Sequence, residues 1–315
     1  MPFSRRAFLK LGTAGAAAVS GSGIAAAQER PDNKQIFTLE DLGLTDECFQ
    51  VRREPIRWPN GARVALTWSV DHEDYNDAAS VAQVHYHTYG GKAGIWRVLE
   101  VAAKHNVKLS VFANGLTTQR YPEGMRALHA EGHEIIAHGW ANNWQLHMVK
   151  PEEELTVIRR TLDTIRQVIS APVYGWMGPG WRTTSRTMEY IAQEGCTFSG
   201  DYPIDDLPFT LTLKNDKKMV VIPYIRESND IRIHQFHRQS PSVWLDCFKD
   251  HWDVLYREAE KFPMMMNTDV HAWAYGRPVG KQVIEEAIRY ARGFSDVWWC
   301  TRKEIVDWWL QQNYS

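Results

Sequence analysis

Four short stretches hold residues of types and spacings that could do hydrolytic chemistry. Asp71-His72-Glu73-Asp74 follows the apolar run Arg63–Val70 (RVALTWSV), and carboxylates at the end of a buried strand can bind a cation or take a proton from water. The stretch Gly132–Trp144, GHEIIAHGWANNW, places His138 just after the apolar run Ile135-Ile136-Ala137, with Trp140 and Asn142 close behind. His271 follows the run Met264–Val270, and imidazole titrates close enough to neutrality to give or take a proton. The fourth stretch, Gly175-Trp176-Met177-Gly178-Pro179-Gly180-Trp181-Arg182, could bring backbone N–H groups or Arg182 to a developing oxyanion. Each has a plain structural alternative: a solvated acidic turn, or a histidine hydrogen-bonded into the core. His133, in the turn before its strand, reads as structural.

These groups can meet only if the elements bearing them bring their ends together. Arg63–Val70, Lys108–Ala113, Glu134–Ala137, Tyr174–Met177, Thr197–Ser199, Met219–Pro223, Met264–Val270 and Val297–Cys300 read as strands. Helical patterns alternate with them over Gly94–His105, Pro122–Glu131, from Pro151, over Ser185–Gln193, Ser242–Lys261, Lys281–Arg292 and Arg302–Gln311. Such alternation argues for an α/β fold with a largely parallel sheet, and this many units favour a closed or nearly closed (β/α) barrel. Sites in such folds lie at the carboxyl ends of the strands, where Asp71, His138 and His271 all fall.

The 315 residues are 44% hydrophobic, enough for a sizeable core, and a formal net charge of -2 provides no field for nucleic acid. Fourteen Trp and twelve Tyr exceed what such a core needs, which fits stacking on sugars or flat heterocycles as well as ordinary packing. Ser4-Arg5-Arg6-Ala7-Phe8-Leu9-Lys10, a weakly apolar run and Ala25-Ala26-Ala27 read as a twin-arginine signal peptide over residues 1–27. This predicts passage through the twin-arginine export machinery to a periplasmic or secreted location, with no stable membrane span. Residues 28–60 read as an N-terminal arm, and 61–315 as one catalytic domain. Cys48, Cys196, Cys247 and Cys300 lack metal-like spacing and read as free thiols.

In order, the strand ending in carboxylates, GHE-x-x-x-HG, the Gly/Arg turn, Asp201–Pro208 (DYPIDDLP) and the late strand ending in His271 resemble the polysaccharide deacetylase, or NodB-homology, superfamily over roughly Trp58–Trp309. The resemblance implies a distorted (β/α) barrel that hydrolyses non-peptide carbon–nitrogen bonds of a glycan or small molecule. It implies a base and a metal ligand from the strand-terminal acids, a divalent metal such as zinc on His138 with Asp71, and His271 protonating the leaving group. Asn142 stands where these deacetylases place a second metal histidine, and Asn is a poor zinc ligand. The Asp71-x-Glu73-Asp74 spacing and Arg57-Trp58-Pro59-Asn60-Gly61-Ala62-Arg63-Val64 are similar to the branch of metal-free allantoinases and cyclic imide hydrolases. Ile222-Pro223-Tyr224 and Ser228-Asn229-Asp230 share that likeness.

In the expected mechanism Asp71 or Glu73 takes the water proton while the other positions the water or holds a metal, and His271 is the general acid. Trp140, Trp176 and Trp181 would wall the substrate site beside Asn142, with Arg182 or a metal stabilising the oxyanion. A non-catalytic carbohydrate-binding relative is the remaining alternative.

Overall fold

A computed structural model describes residues 38–50, 55–77, 80–81 and 87–314. The expected signal peptide lies outside the described residues, and among those residues no helix is long and apolar enough to cross a membrane. The described arm residues Thr38–Gln50 lie against the main body. Ser185 donates its N–H to the Asp41 carbonyl at 2.8 Å, and the Tyr202 hydroxyl donates to the Leu42 carbonyl at 3.0 Å.

Among the described residues nine strands form one curled sheet: β1 Val64–His72, β2 Leu109–Ala113, β3 Glu134–Ala137, β4 Gly175–Trp176, β5 Phe198–Ser199, β6 Phe209–Thr212, β7 Lys218–Val221, β8 Met264–His271 and β9 Val297–Trp299. The order is β6-β7-β5-β4-β3-β2-β1-β8, with β9 paired to the first residues of β1. All pairings are parallel except β6 with β7. Beyond β8 the sheet continues only as a single bridge, Asn229 to Asp269, so the expected (β/α) barrel is a nearly closed, distorted one. Helices α1 Ile95–His105, α2 Gly115–Arg120, α3 Pro122–Ala130, α4 Glu154–Ile169, α5 Thr187–Gln193, α6 Pro241–Glu258, α7 Pro278–Arg292 and α8 Arg302–Gln311 accompany it.

Helix α2 and the antiparallel strand β6 were not expected from the sequence, the first because Gly115-Leu116-Thr117-Thr118 has no helical propensity to advertise it. Pro151 does not open its helix. Residues 151–153 form a turn, and α4 starts at Glu154, whose buried carboxylate accepts from Thr184 and Thr187 hydroxyls and pairs with Arg186 at 3.0 Å.

Strand alternation separates two apolar layers. Val64, Leu66, Trp68 and Val70 of β1 face the helices, whereas Ala65 joins Phe112, Ile136, Val220 and Met265 in the barrel interior. The inward positions change from apolar to polar toward the carboxyl ends, through Ser69 and Asp71 on β1 and Asp269 and His271 on β8. Arg302, at the start of α8, is fully buried in this polar interior. Its Nε donates to Ser69 Oγ at 3.3 Å and its Nη1 to the Ile222 carbonyl at 3.1 Å, and its Nη2 stands 3.6 Å from Asp269. A capping box of Thr301 and Glu304 fixes the helix start from which it reaches inward. All four cysteines are free, with Cys196 and Cys300 buried and Cys48 and Cys247 only half-buried.

Candidate active site

In the parallel register Asp71 of β1 is the partner of His271 on β8, so the two ends of the chain bring these side chains together. His271 Nε2 is 3.4 Å from Asp71 Oδ2 and 3.7 Å from Glu73 Oε1. Beyond β3, the His138 N–H bonds to the Ala113 carbonyl at 2.9 Å, and Asn114 donates to the His138 carbonyl, which fixes the turn in place. Gly139 completes it at φ +63°, with a Cβ there coming within 2.8 Å of Pro179, so the glycine allows the two site loops to touch.

His138 donates from Nδ1 to the Met177 carbonyl at 2.8 Å, which leaves its Nε2 as an acceptor 3.8 Å from Glu73 Oε2. Glu73 therefore sits between His138 on one side and His271 on the other. Its Oε1 also accepts from the Trp273 indole at 3.1 Å and lies 3.8 Å from His87 Nδ1. Burial works against charge on Glu73, but the facing His271, His87 and His138 and the indole hydrogen bond outweigh it and hold the carboxyl below its usual range. Asp71 is the reverse case. Burial, with Asp269, Glu73 and Asp230 close by, pushes it well above the ordinary aspartate value despite His271. Of the two expected acids, Glu73 is thus the one held ionised.

His271 is held from behind by a residue to which the sequence assigned no role. Asp230 accepts the His271 backbone N–H at 2.8 Å through one oxygen and Nδ1 at 2.7 Å through the other. Burial alone would lower the imidazole pKa, but Asp230, Asp71 and Glu73 raise it to about 10. Asp71 in turn accepts from the Tyr224 hydroxyl at 3.2 Å, and Asn229 donates to that hydroxyl. His87 and Trp273 were missed as well; Trp273 lies two residues beyond His271, but His87 stands apart in sequence from every site stretch.

Asp71, Glu73, His138, Asn142, Trp181 and His271 all line one pocket of about 600 Å³. The other expected wall residues do not. Trp140, in the turn after β3, is buried with the Arg160 guanidinium 3.5 Å above its ring, and Trp176 on β4 is wholly in the core. Arg182 is exposed outside the pocket lining, so the oxyanion role expected of it has no geometric support. The Gly178 N–H is also taken, donating to Asp201 at 2.7 Å. Asp201 therefore caps the glycine-rich turn. Asp74 is buried outside the pocket lining and pairs with Arg120 at 2.7 Å, and His133 accepts the Leu109 N–H at 3.1 Å, a structural role as expected.

The donor set does not fit a three-ligand catalytic zinc. His138 Nε2 and Glu73 Oε2 converge, but Asn142 supplies only an amide beside the His138 ring. Among the described residues no group of three His, Cys, Asp or Glu side chains is placed to hold a metal ion.

Comparison with known proteins agrees with the motif pattern. The family model described as polysaccharide deacetylase matches residues 83–199. A putative polysaccharide deacetylase of Schizosaccharomyces pombe is 23% identical over 307 residues, covering 81% of this chain and 93% of the relative. A probable polysaccharide deacetylase of Pseudomonas aeruginosa superposes with a TM-score of 0.75 at 28% identity, covering 81% of this chain and 93% of the other. Puue allantoinase superposes with a TM-score of 0.77 at 25% identity, covering 84% and 96%. The likeness read from the motifs holds in sequence and in fold.

Proposed function

We propose that this divergent relative of the polysaccharide deacetylases is an enzyme that hydrolyses a non-peptide carbon–nitrogen bond by general acid/base catalysis. The observation that carries the reading is the position of Glu73 between the His138 and His271 imidazoles. Glu73 Oε2 and His138 Nε2 are two acceptors placed to receive both protons of one water molecule. As that water attacks the amide carbonyl carbon, one proton passes to Glu73. The carbon–oxygen bond forms, the carbonyl becomes an oxyanion, and the nearby imidazolium of His271 offsets the new charge. Collapse of the intermediate breaks the carbon–nitrogen bond while His271 Nε2 gives its proton to the leaving nitrogen.

Asp230 keeps His271 cationic and aimed, and Tyr224 holds Asp71, whose pKa burial raises and which we read as a hydrogen-bond partner and not the base. A deacetylase-type substrate with an N-acetyl group is the first reading. The two-donor set with Asn142 favours a second, the metal-free opening of a small cyclic amide. Retention of Glu73, His271 and Asp230 in one buried cluster speaks against a purely sugar-binding relative. The twin-arginine pattern at residues 1–27 supports a periplasmic or secreted location, where a glycan or small-molecule substrate would be met.

A hydrolysis panel of N-acetylated sugars against hydantoins and imides, run with metal analysis of the purified protein, tests this. Turnover of an N-acetyl sugar with stoichiometric bound metal supports the first reading, and turnover of a cyclic amide after exhaustive chelation supports the second. Failure to hydrolyse any member would overturn both.

A further inference from the structure

We infer that the substrate carries an anionic oxygen group at some distance from the scissile bond, and that Arg226 and Arg232 on the pocket wall recognise it. The inference rests on the hydrolase reading for the word substrate, but its geometry is independent of the chemistry at the floor.

The carboxylates that line the pocket, Asp71 and Glu73, are both at the floor. The wall on the side of the segment after β7 carries two guanidinium groups, Arg226 and Arg232, and the amide of Gln235. Among the described residues neither arginine is within ion-pair reach of a carboxylate, whereas Arg120, Arg159, Arg186, Arg289 and Arg302 all are. Arg226 is exposed, with its guanidinium 5.2 Å from the centroid of the Trp181 ring, another pocket residue. That stacking limits the freedom of the side chain without using its hydrogen-bonding fork. Arg232 is half-buried and opens the short helical turn Arg232–Phe236, which lines the same pocket. Glu227, the nearest acid in sequence to Arg226, does not line this pocket.

An arginine fork matches the paired oxygens of a carboxylate or phosphate, and unpaired forks on the wall of a cavity are sites for such a group. With an amide carbonyl at the Glu73 floor, an anion elsewhere on the same molecule would meet this wall and be repelled by neither acid. The arrangement would give the enzyme a preference that the chemistry of amide hydrolysis alone does not supply.

The test uses matched pairs that differ by one carboxylate: dihydrouracil with its 6-carboxylate, and N-acetylglucosamine with its 3-O-lactyl ether. Wild type should favour the acidic member in kcat/KM by about tenfold or more, as hydrogen bonds to a charged group predict. Arg226→Gln and Arg232→Gln should each shrink that ratio, and added salt should do the same. Calorimetric titration with succinate and with inorganic phosphate should show binding to wild type that weakens in both variants, and the better-bound probe identifies the group. Equal turnover of both members, or absence of binding of either probe to wild type, overturns the inference. If no member of either pair is hydrolysed, the proposed function fails, and the titration still decides whether the arginine wall binds an anion.

Discussion

Asp230 grips His271 at two points, taking its backbone N–H through one carboxylate oxygen and its Nδ1 through the other, at 2.8 and 2.7 Å. This fixes which ring nitrogen faces the pocket and keeps the ring charged, with a pKa raised to about 10. Asp230→Asn should retain the shape but remove the charge. Turnover should fall by roughly 10²-fold, the size of a general-acid contribution. The basic limb of the pH–rate profile should also move to lower pH, since the proton on His271 is then lost more easily. A variant with wild-type rate and an unmoved limb would show that Asp230 merely packs.

Glu73 and Asp71 make opposite predictions. Glu73 is held ionised by three histidines and an indole, and a base must be ionised, so Glu73→Gln should cost roughly 10²- to 10⁴-fold in kcat. Asp71 is pushed above the ordinary aspartate range by burial and by Asp269, Glu73 and Asp230, so Asp71→Asn removes less charge from the site than Glu73→Gln does. Its loss should be smaller by about an order of magnitude or more. Single-turnover rates of the two variants check the assignment, and an equal loss would return the choice of base to the pair.

The sequence made much of this arrangement legible, for identifiable reasons. Strands and helices alternate strongly, so the barrel and the carboxyl-end position of Asp71, His138 and His271 followed from periodicity. It is the register between β1 and β8 that joins Asp71 to His271, and pairing across 200 residues leaves no local trace. Asp230 lies in the Ser228-Asn229-Asp230 stretch, but its role behind His271, like the place of His87 beside Glu73, shows only once the chain folds. Trp140 and Trp176 misled because both rings pack into the core, Trp140 under the Arg160 guanidinium and Trp176 from β4, and an aromatic-rich stretch reads the same whether its rings line a pocket or fill a core. Arg302 escaped notice because an arginine at a helix start ordinarily reads as solvated.

Asn142→His tests the donor set directly. Asn142 lies in the same turn as His138 and lines the same pocket, so a histidine there would bring a third donor toward His138 and Glu73. After dialysis against zinc and removal of excess, the variant should retain more metal than wild type, close to one equivalent, as read by elemental analysis. Equal retention by the two proteins would show that residue 142 does not limit metal binding.

Stability should depend on pH through buried carboxylates that are reluctant to ionise. Burial raises Asp201 from 3.8 to about 7, outweighing its bonds from the Gly178 N–H and the Ser199 hydroxyl. A carboxyl whose folded pKa exceeds its unfolded value contributes fully below pH 4, and that contribution disappears as pH climbs to 7. His72 and His133, both lowered to about 4, act in the opposite sense, so the difference between two proteins is the cleaner measurement. Asp201→Asn cannot ionise. Its stability relative to wild type should improve by a few kcal/mol between pH 4 and pH 8 in denaturant titrations. A pH-independent difference would mean that the Asp201 charge is accommodated after all.

Arg302 gives the sharpest structural prediction. Its guanidinium is wholly buried, 3.6 Å from an equally buried Asp269, with hydrogen bonds to Ser69 and the Ile222 carbonyl. Asp269 already titrates at about 7, with burial as the largest cause and Arg302 as the main opposing influence. Arg302→Met keeps the length and apolar contact but leaves Asp269 unpaired, at a cost of roughly 3–5 kcal/mol near neutral pH. The loss should shrink on acidification, because a protonated Asp269 needs no partner, and the double variant with Asp269→Asn should recover much of it. Denaturation midpoints at pH 5 and pH 8 for the single and double variants read both effects. If the single variant lost the same stability at both pH values and the second substitution restored nothing, the pair would be acting through packing and not through charge.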